Sequence, residues 1–195
     1  MTRIEIIFAT NNSNKVKEIK SVVGEQLNVI SLQEAGINQD IPEPHDSLEA
    51  NASEKSAVIH AITGKNCFSE DTGLEVFALN KAPGVKSARY AGDHRDFQAN
   101  IDLLLKNLAA ETNKIAQFRT IISLIWQGNE YLFEGICKGI ITMEQKGSEG
   151  FGYDSIFIPE GANKTFAEMS MEEKNKYSHR KKATTQLIDF LKKQI

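Results

Sequence analysis

The apolar and polar residues of this chain alternate with two different periods. Residues 4 to 9, IEIIFA, are β-branched and aromatic and break at once into the polar cluster TNNSN, so a strand is predicted to empty into a loop. Val16, Ile19, Val22 and Val23 then recur at helical spacing, with Gly24 as a stop. LNVIS predicts a short second strand, and QDIPEPHD, with two prolines, an irregular connector. Asp46 reads as a helix N-cap with Glu49 in the capping-box position, and Leu48, Ala52, Ile59 and Ile62 continue that helix to Gly64. The run CFSEDTG reads as a strand that ends on two adjacent carboxylates, Glu70 and Asp71. Further on, Phe97, Ile101, Leu104, Leu105 and Leu108 mark an amphipathic helix. Two long β-rich runs, KIAQFRTIISLIWQ and EYLFEGICKGIITM, are predicted to form a hairpin turning at Gly128-Asn129, with Trp126 and Phe133 as packing residues beside it. Last comes a helix with Ser178 as its N-cap and Ala183, Leu187, Phe190 and Leu191 as its apolar stripe. Strands alternating with helices, plus one long hairpin, predict an α/β fold with a mixed sheet.

Composition narrows the class. A chain of 195 residues fits one domain, 1–195, or one domain with two lobes, and shows no repeat, low-complexity tract or linker. Its 23 basic residues against 26 acidic ones leave no domain-wide basic excess, which argues against nucleic acid as a partner. The first apolar run, flanked by Arg3 and Glu5, is too short for a signal peptide or a membrane span, so no membrane partner and a cytoplasmic location are expected. Cys67 and Cys137 lie in apolar runs without metal-ligand spacing and read as buried thiols.

The candidate chemistry is concentrated in a few places. Two carboxylates at a strand end can serve a hard cation such as Mg²⁺, which takes one or two carboxylates plus substrate phosphates; the same pair also fits a solvated acidic turn. Strand, polar loop and helix in succession can hold phosphate on helix N-terminal N–H groups, although TNNSNK is not a Walker A loop. Lys15 at that helix start, Glu43 in the proline-bearing connector and Lys55 within the next helix could each be functional or simply solvated. In GSEGFGYDSIFIP, glycines on both sides of Phe151 leave a ring face for stacking on a flat ligand; a glycine-rich turn with core aromatics fits the same residues. His179 and Arg180 in the first turn of a helix oppose its dipole, which suits an anion or polar ligand there.

Five motifs, FATNNSNKVKEI, SEDTGLEV, APGVKSARYAG, GFGYD and EEKNKYSHRKKA, occur in the order and spacing of one family, and the chain resembles the inosine triphosphate pyrophosphatases over nearly its whole length. The resemblance implies an elongated mixed β-sheet flanked by helices, with two lobes around a central cleft. It implies Mg²⁺-dependent hydrolysis of purine nucleoside triphosphates such as ITP, dITP and XTP to the monophosphate and pyrophosphate, by a cytoplasmic homodimer. Thr10, Asn11, Asn12, Ser13, Asn14 and Lys15 match the family's phosphate-binding loop, Glu43 its metal-associated acid, and Asp71 its metal ligand and proposed proton acceptor. Glu70 is a further, less secure metal ligand, Thr72 a substrate contact, and Lys55 a lysine near the phosphates. Phe151, Gly152, Tyr153 and Asp154 match the base-binding segment, and Lys174, His179 and Arg180 the C-terminal substrate contacts. Arg180, which can only donate hydrogen bonds, would select a 6-keto purine over adenine. Two positions depart from the pattern: many members have glycine where this chain has Asn11, and proline usually follows GFGYD where it has Ser155. APGVKSARYAG receives no chemical step and is expected to shape the cleft or the dimer. Two other readings are a pyrophosphatase for modified pyrimidine triphosphates and a nucleotide-binding regulator without catalysis.

Overall fold

The computed structural model describes residues 4–24 and 27–194; Arg3 lies outside them. The elements, in chain order, are β1 (Ile4–Phe8), α1 (Ser13–Val23), β2 (Leu27–Ser31), α2 (Leu48–Thr63), β3 (Cys67–Val76), β4 (Pro83–Gly84), α3 (Phe97–Leu108), β5 (Ile115–Trp126), β6 (Asn129–Ile141), β7 (Phe157–Pro159), α4 (Met171–Asn175) and α5 (His179–Lys192). The strands form one sheet in the order β2-β1-β3-β5-β6-β7, with β4 added to β3. It is mixed, as expected: β1 runs parallel to β2 and β3, whereas β4 and β7 run antiparallel to β3 and β6.

The chain divides into two compact units. Unit 1 comprises 1–71, 120–135 and 180–195, and unit 2 comprises 72–119 and 136–179. In unit 1 the period-two alternation of the strands feeds two separate cores. Ile6, Phe8 and Phe68, with Ile122, Leu124 and Trp126, meet Ile19 and Val23 of α1 and Ala183, Leu187 and Leu191 of α5. Ile7, Ala9, Cys67 and Ile125 point the other way and meet Ile59 of α2. The rings of Phe8 and Phe68 stack at 4.5 Å between centroids. Phe190 closes the first core from outside, 4.3 Å from the Tyr131 ring and 5.7 Å from Phe133. Unit 2 has its own core, in which Leu74 and Val76 of β3, Ile101, Leu104 and Leu108 of α3, Phe118 of β5 and Ile141 of β6 pack on Tyr153, Phe157 and Phe166.

The structure corrects several boundaries. Ser47, not Asp46, caps α2, its side chain accepting from the Ala50 N–H; the cap has slipped one residue because either short polar side chain can serve. Ile62, in the last turn of α2, and Phe97, in the first turn of α3, are exposed rather than buried. The hairpin turns at Gln127 and Gly128, whose φ of 50° and 79° give the two left-handed residues of a type I′ turn. β3 does not stop at the carboxylates but continues to Val76, leaving Glu70 and Asp71 mid-strand. Both cysteines are buried as expected, and burial pushes the Cys67 thiol up to about 12. Among the described residues no helix is long and apolar enough to cross a membrane.

Candidate active site

In unit 1, β1 delivers the chain to α1 through the loop read as a phosphate site. Asn12 is the N-cap, its Oδ1 accepting from the Asn14 N–H at 3.0 Å and the Lys15 N–H at 3.2 Å. Thr10 Oγ1 accepts from the Asn12 N–H at 3.2 Å, and Asn11 Nδ2 donates to the Gln39 carbonyl at 2.9 Å. Among the described residues, the non-glycine residues at positive φ are Asn80, Lys81, Arg95 and Gln127, so Asn11 needs none of glycine's freedom. Ser13 is exposed, and no acid occupies the first turn of α1, which leaves the positive end of the helix dipole to Lys15 and an incoming anion.

Adjacent strand residues point to opposite faces, and this separates the two carboxylates. Glu70 follows Phe68 toward α1 and α5; Asp71 follows Cys67 toward α2. Glu70 is completely buried and binds Lys15 Nζ at 2.8 Å and the Arg180 Nε and Nη2 atoms at 2.6 and 3.0 Å. Burial alone would raise its pKa, but the charges of Arg180 and Lys15 more than reverse this and hold the carboxyl well below the usual range. Arg180 gives its Nη1 to the buried Glu18 of α1. Arg180 is therefore engaged by two carboxylates, which answer the cation at the start of α5. The oxygens of Glu70, the less secure of the metal candidates, pair with Lys15 and Arg180 on the strand face opposite Asp71.

On the α2 side, Lys55 Nζ lies 2.6 Å from Glu43 Oε1 and 3.2 Å from Asp71 Oδ1. Burial alone would lower the Lys55 pKa, and the two carboxylates raise it instead. Burial raises the Asp71 pKa; Lys55 and Lys15 oppose that rise without cancelling it, and Glu43 adds to it. Two carboxylates converging on one cation are the donor set that Mg²⁺ takes when substrate phosphates complete its shell, so Glu43 and Asp71 fit that ion. Among the described residues, no group of three or more His, Cys, Asp and Glu side chains gathers as a metal cage.

Unit 2 holds the remaining candidates. Thr72, half-buried in β3, opens it. Gly150 and Gly152, with φ of 76° and 62°, bend the chain around Phe151, whose N–H donates to Asp154 Oδ2 at 2.9 Å. A Cβ on Gly150 would collide with that same carboxylate, so glycine is needed for the close approach as well as the bend. Lys174, buried in α4, donates to Asp154 Oδ2 at 2.6 Å and stands 5.6 Å over the Phe151 ring. Phe151 is half-buried and tilted against Phe97 at 6.2 Å, which leaves it the one ring of the motif suited to a flat ligand. Tyr153 is not: it is buried in the core, its hydroxyl donating to the Ser87 carbonyl at 2.9 Å. His179 is also buried, stacked on Phe118 at 4.7 Å.

A profile of the Ham1 family matches residues 6–190. The chain belongs to the Ham1 family. It is 48% identical over 189 residues to a dITP/XTP pyrophosphatase of Flavobacterium psychrophilum, covering 97% of this chain and 100% of that one. To the dITP/XTP pyrophosphatase of Porphyromonas gingivalis it is 47% identical, covering 96% and 97%. The solved structure of the Staphylococcus aureus Ham1 protein superposes with a TM-score of 0.88 at 38% identity, over 98% of this chain and all of that one.

Within this Ham1 chain, two residues beside the site escape sequence reading. Glu18 looks like an ordinary helix acid, yet it is 4% exposed and holds Arg180. Asn51 looks like a mid-helix polar residue, yet it is fully buried beside Asp71. An acid and an amide on the buried side of otherwise amphipathic helices are the available signal, since a buried polar group must be satisfied.

Proposed function

We propose that this Ham1 protein is a nucleoside triphosphate pyrophosphatase that hydrolyses non-standard purine nucleotides, ITP, dITP and XTP, to the monophosphate and pyrophosphate. The observation that carries the reading is the ion-paired trio of Glu43, Lys55 and Asp71, the last two of them buried, in a chain that matches dITP/XTP pyrophosphatases over nearly its whole length. The exposed N-terminus of α1 and Lys15 take phosphate oxygens, and Lys55 neutralises charge near Asp71. Asp71, made more basic by burial, orients the attacking water and accepts its proton. Mg²⁺, held by Glu43 and Asp71, would neutralise phosphate charge and acidify its bound water. Phe151 offers a ring face to the purine, in a turn braced by Asp154 and Lys174. Thr72, Gly152 and His179 complete the proposed substrate contacts, and the protein works as a cytoplasmic homodimer.

The test is a substrate panel. With Mg²⁺, pyrophosphate release from ITP, dITP and XTP is expected to exceed that from ATP and GTP by at least about 100-fold. Equal rates on all five nucleotides, or orthophosphate as the first product, would overturn the assignment.

A further inference from the structure

We infer that Asn51 is a positioning residue that ties the Glu43 loop to Asp71 and so sets the spacing of the two carboxylates. The inference rests on the function proposed above. Asn51 sits on α2 one turn before Lys55 and has no exposed surface. Its Oδ1 accepts the His45 N–H at 3.0 Å, while its Nδ2 donates to the His45 carbonyl at 3.1 Å. A side-chain amide closed on both backbone groups of one residue grips the loop as a strand partner would. His45 is two residues beyond Glu43, in the connector whose prolines exclude regular structure, so this grip holds the Glu43 segment against α2. The same Nδ2 also reaches Asp71 Oδ2 at 3.4 Å, on the oxygen opposite the one paired with Lys55.

Each Asp71 oxygen thus faces a donor from α2, four residues apart on one helix face. Lys55 supplies charge and can be displaced or recruited by phosphate. Asn51 is neutral, has no rotamer freedom to spare in a fully buried site, and supplies geometry. A carboxylate that must place a water or a metal needs its plane fixed, and partners that orient ligands in this way typically contribute 10–100-fold to affinity or activity.

The experiment compares wild type with Asn51→Leu, which keeps the branched shape and neutrality but cannot hydrogen-bond, and with the smaller Asn51→Ala, which avoids the extra bulk of the two methyl groups. Both are expected to fold, because His45 is exposed and its released backbone groups can turn to water. Hydrolysis of ITP should lose about 10–100-fold in kcat with KM changed less than about threefold, and Mn²⁺ binding to the nucleotide-free protein, followed by electron paramagnetic resonance, should weaken about tenfold. Variants with lower thermal stability but wild-type kcat and Mn²⁺ affinity would show a merely structural amide and overturn the inference. Wild type that releases no pyrophosphate from ITP would instead sink the proposed function, leaving the Mn²⁺ comparison to decide the role of Asn51.

Discussion

Asp71 is the residue to which the proposed mechanism gives the proton. An ordinary aspartate, with a pKa of about 3.9, is a feeble base at neutral pH. Burial raises that value here, and the net direction survives the nearby lysines, so the carboxylate gains basicity while staying paired. Asp71→Asn keeps the shape and the possibility of a hydrogen bond with Lys55 replaced by a weaker polar contact, so the fold should persist. Turnover of ITP should fall by at least about 100-fold, the span expected for loss of a general base. Circular dichroism and a steady-state assay on the same sample check both halves, and retained activity would remove Asp71 from its role. SEDTGLEV marks Asp71 as a candidate in the sequence, but its partners were not legible there. Lys55 and Asn51 lie 16 and 20 residues upstream, and Arg180 lies 110 residues from Glu70, so the pairs exist only once the chain has folded.

At the level of elements, periodicity carried most of the reading because it is local. β2 spans the residues LNVIS, and α1 ends at Gly24 as the spacing predicts. What periodicity could not show was that β3 runs on past its charged pair, since two adjacent acids look like a strand end unless each has a buried partner. The continuation has a purpose visible at Gly73. A Cβ there would stand 2.5 Å from the Gly84 carbonyl oxygen, so only glycine lets β4 lie against β3. Ser87 fastens the arrangement, its Oγ donating to the Gly84 carbonyl at 2.6 Å and accepting from the Leu74 N–H at 2.8 Å. APGVKSARYAG, which had no assigned task, therefore supplies a short strand and a hydroxyl clamp to β3, and Tyr153 bonds to the same serine. Gly73→Ala should cost about 1–3 kcal/mol through overpacking and should speed amide exchange at Leu74. An unchanged urea midpoint together with unchanged protection would show that the backbone yields freely.

At the scale of the whole molecule, buried charges join parts of the chain that are far apart in sequence. Glu18 of α1, Glu70 of β3 and Arg180 of α5 meet within unit 1, with Lys15 attached to Glu70. The network holds two helices on one face of the sheet, so its electrostatics should be visible in global stability. Because the folded-state pKa of Glu70 lies below its unfolded value of about 4.3, the stabilisation it gives is fully present above that pH and is lost progressively as the pH falls further. The loss should approach about 1.4 kcal/mol per pH unit once the unfolded chain takes up the proton. Asp71 acts in the opposite sense, since its raised pKa favours the folded state as it protonates. A comparison with Glu70→Gln separates the two. That variant should be less stable at neutral pH by about 3–5 kcal/mol, because the buried Arg180 and the partly buried Lys15 lose a shared counter-charge, and it should lack Glu70's share of the acid slope. Urea unfolding from pH 7 to pH 3 measures both quantities. Equal acid slopes in the two proteins would mean that Glu70 releases little when protonated, and that the apolar cores hold α1 and α5 without the help of the charge network.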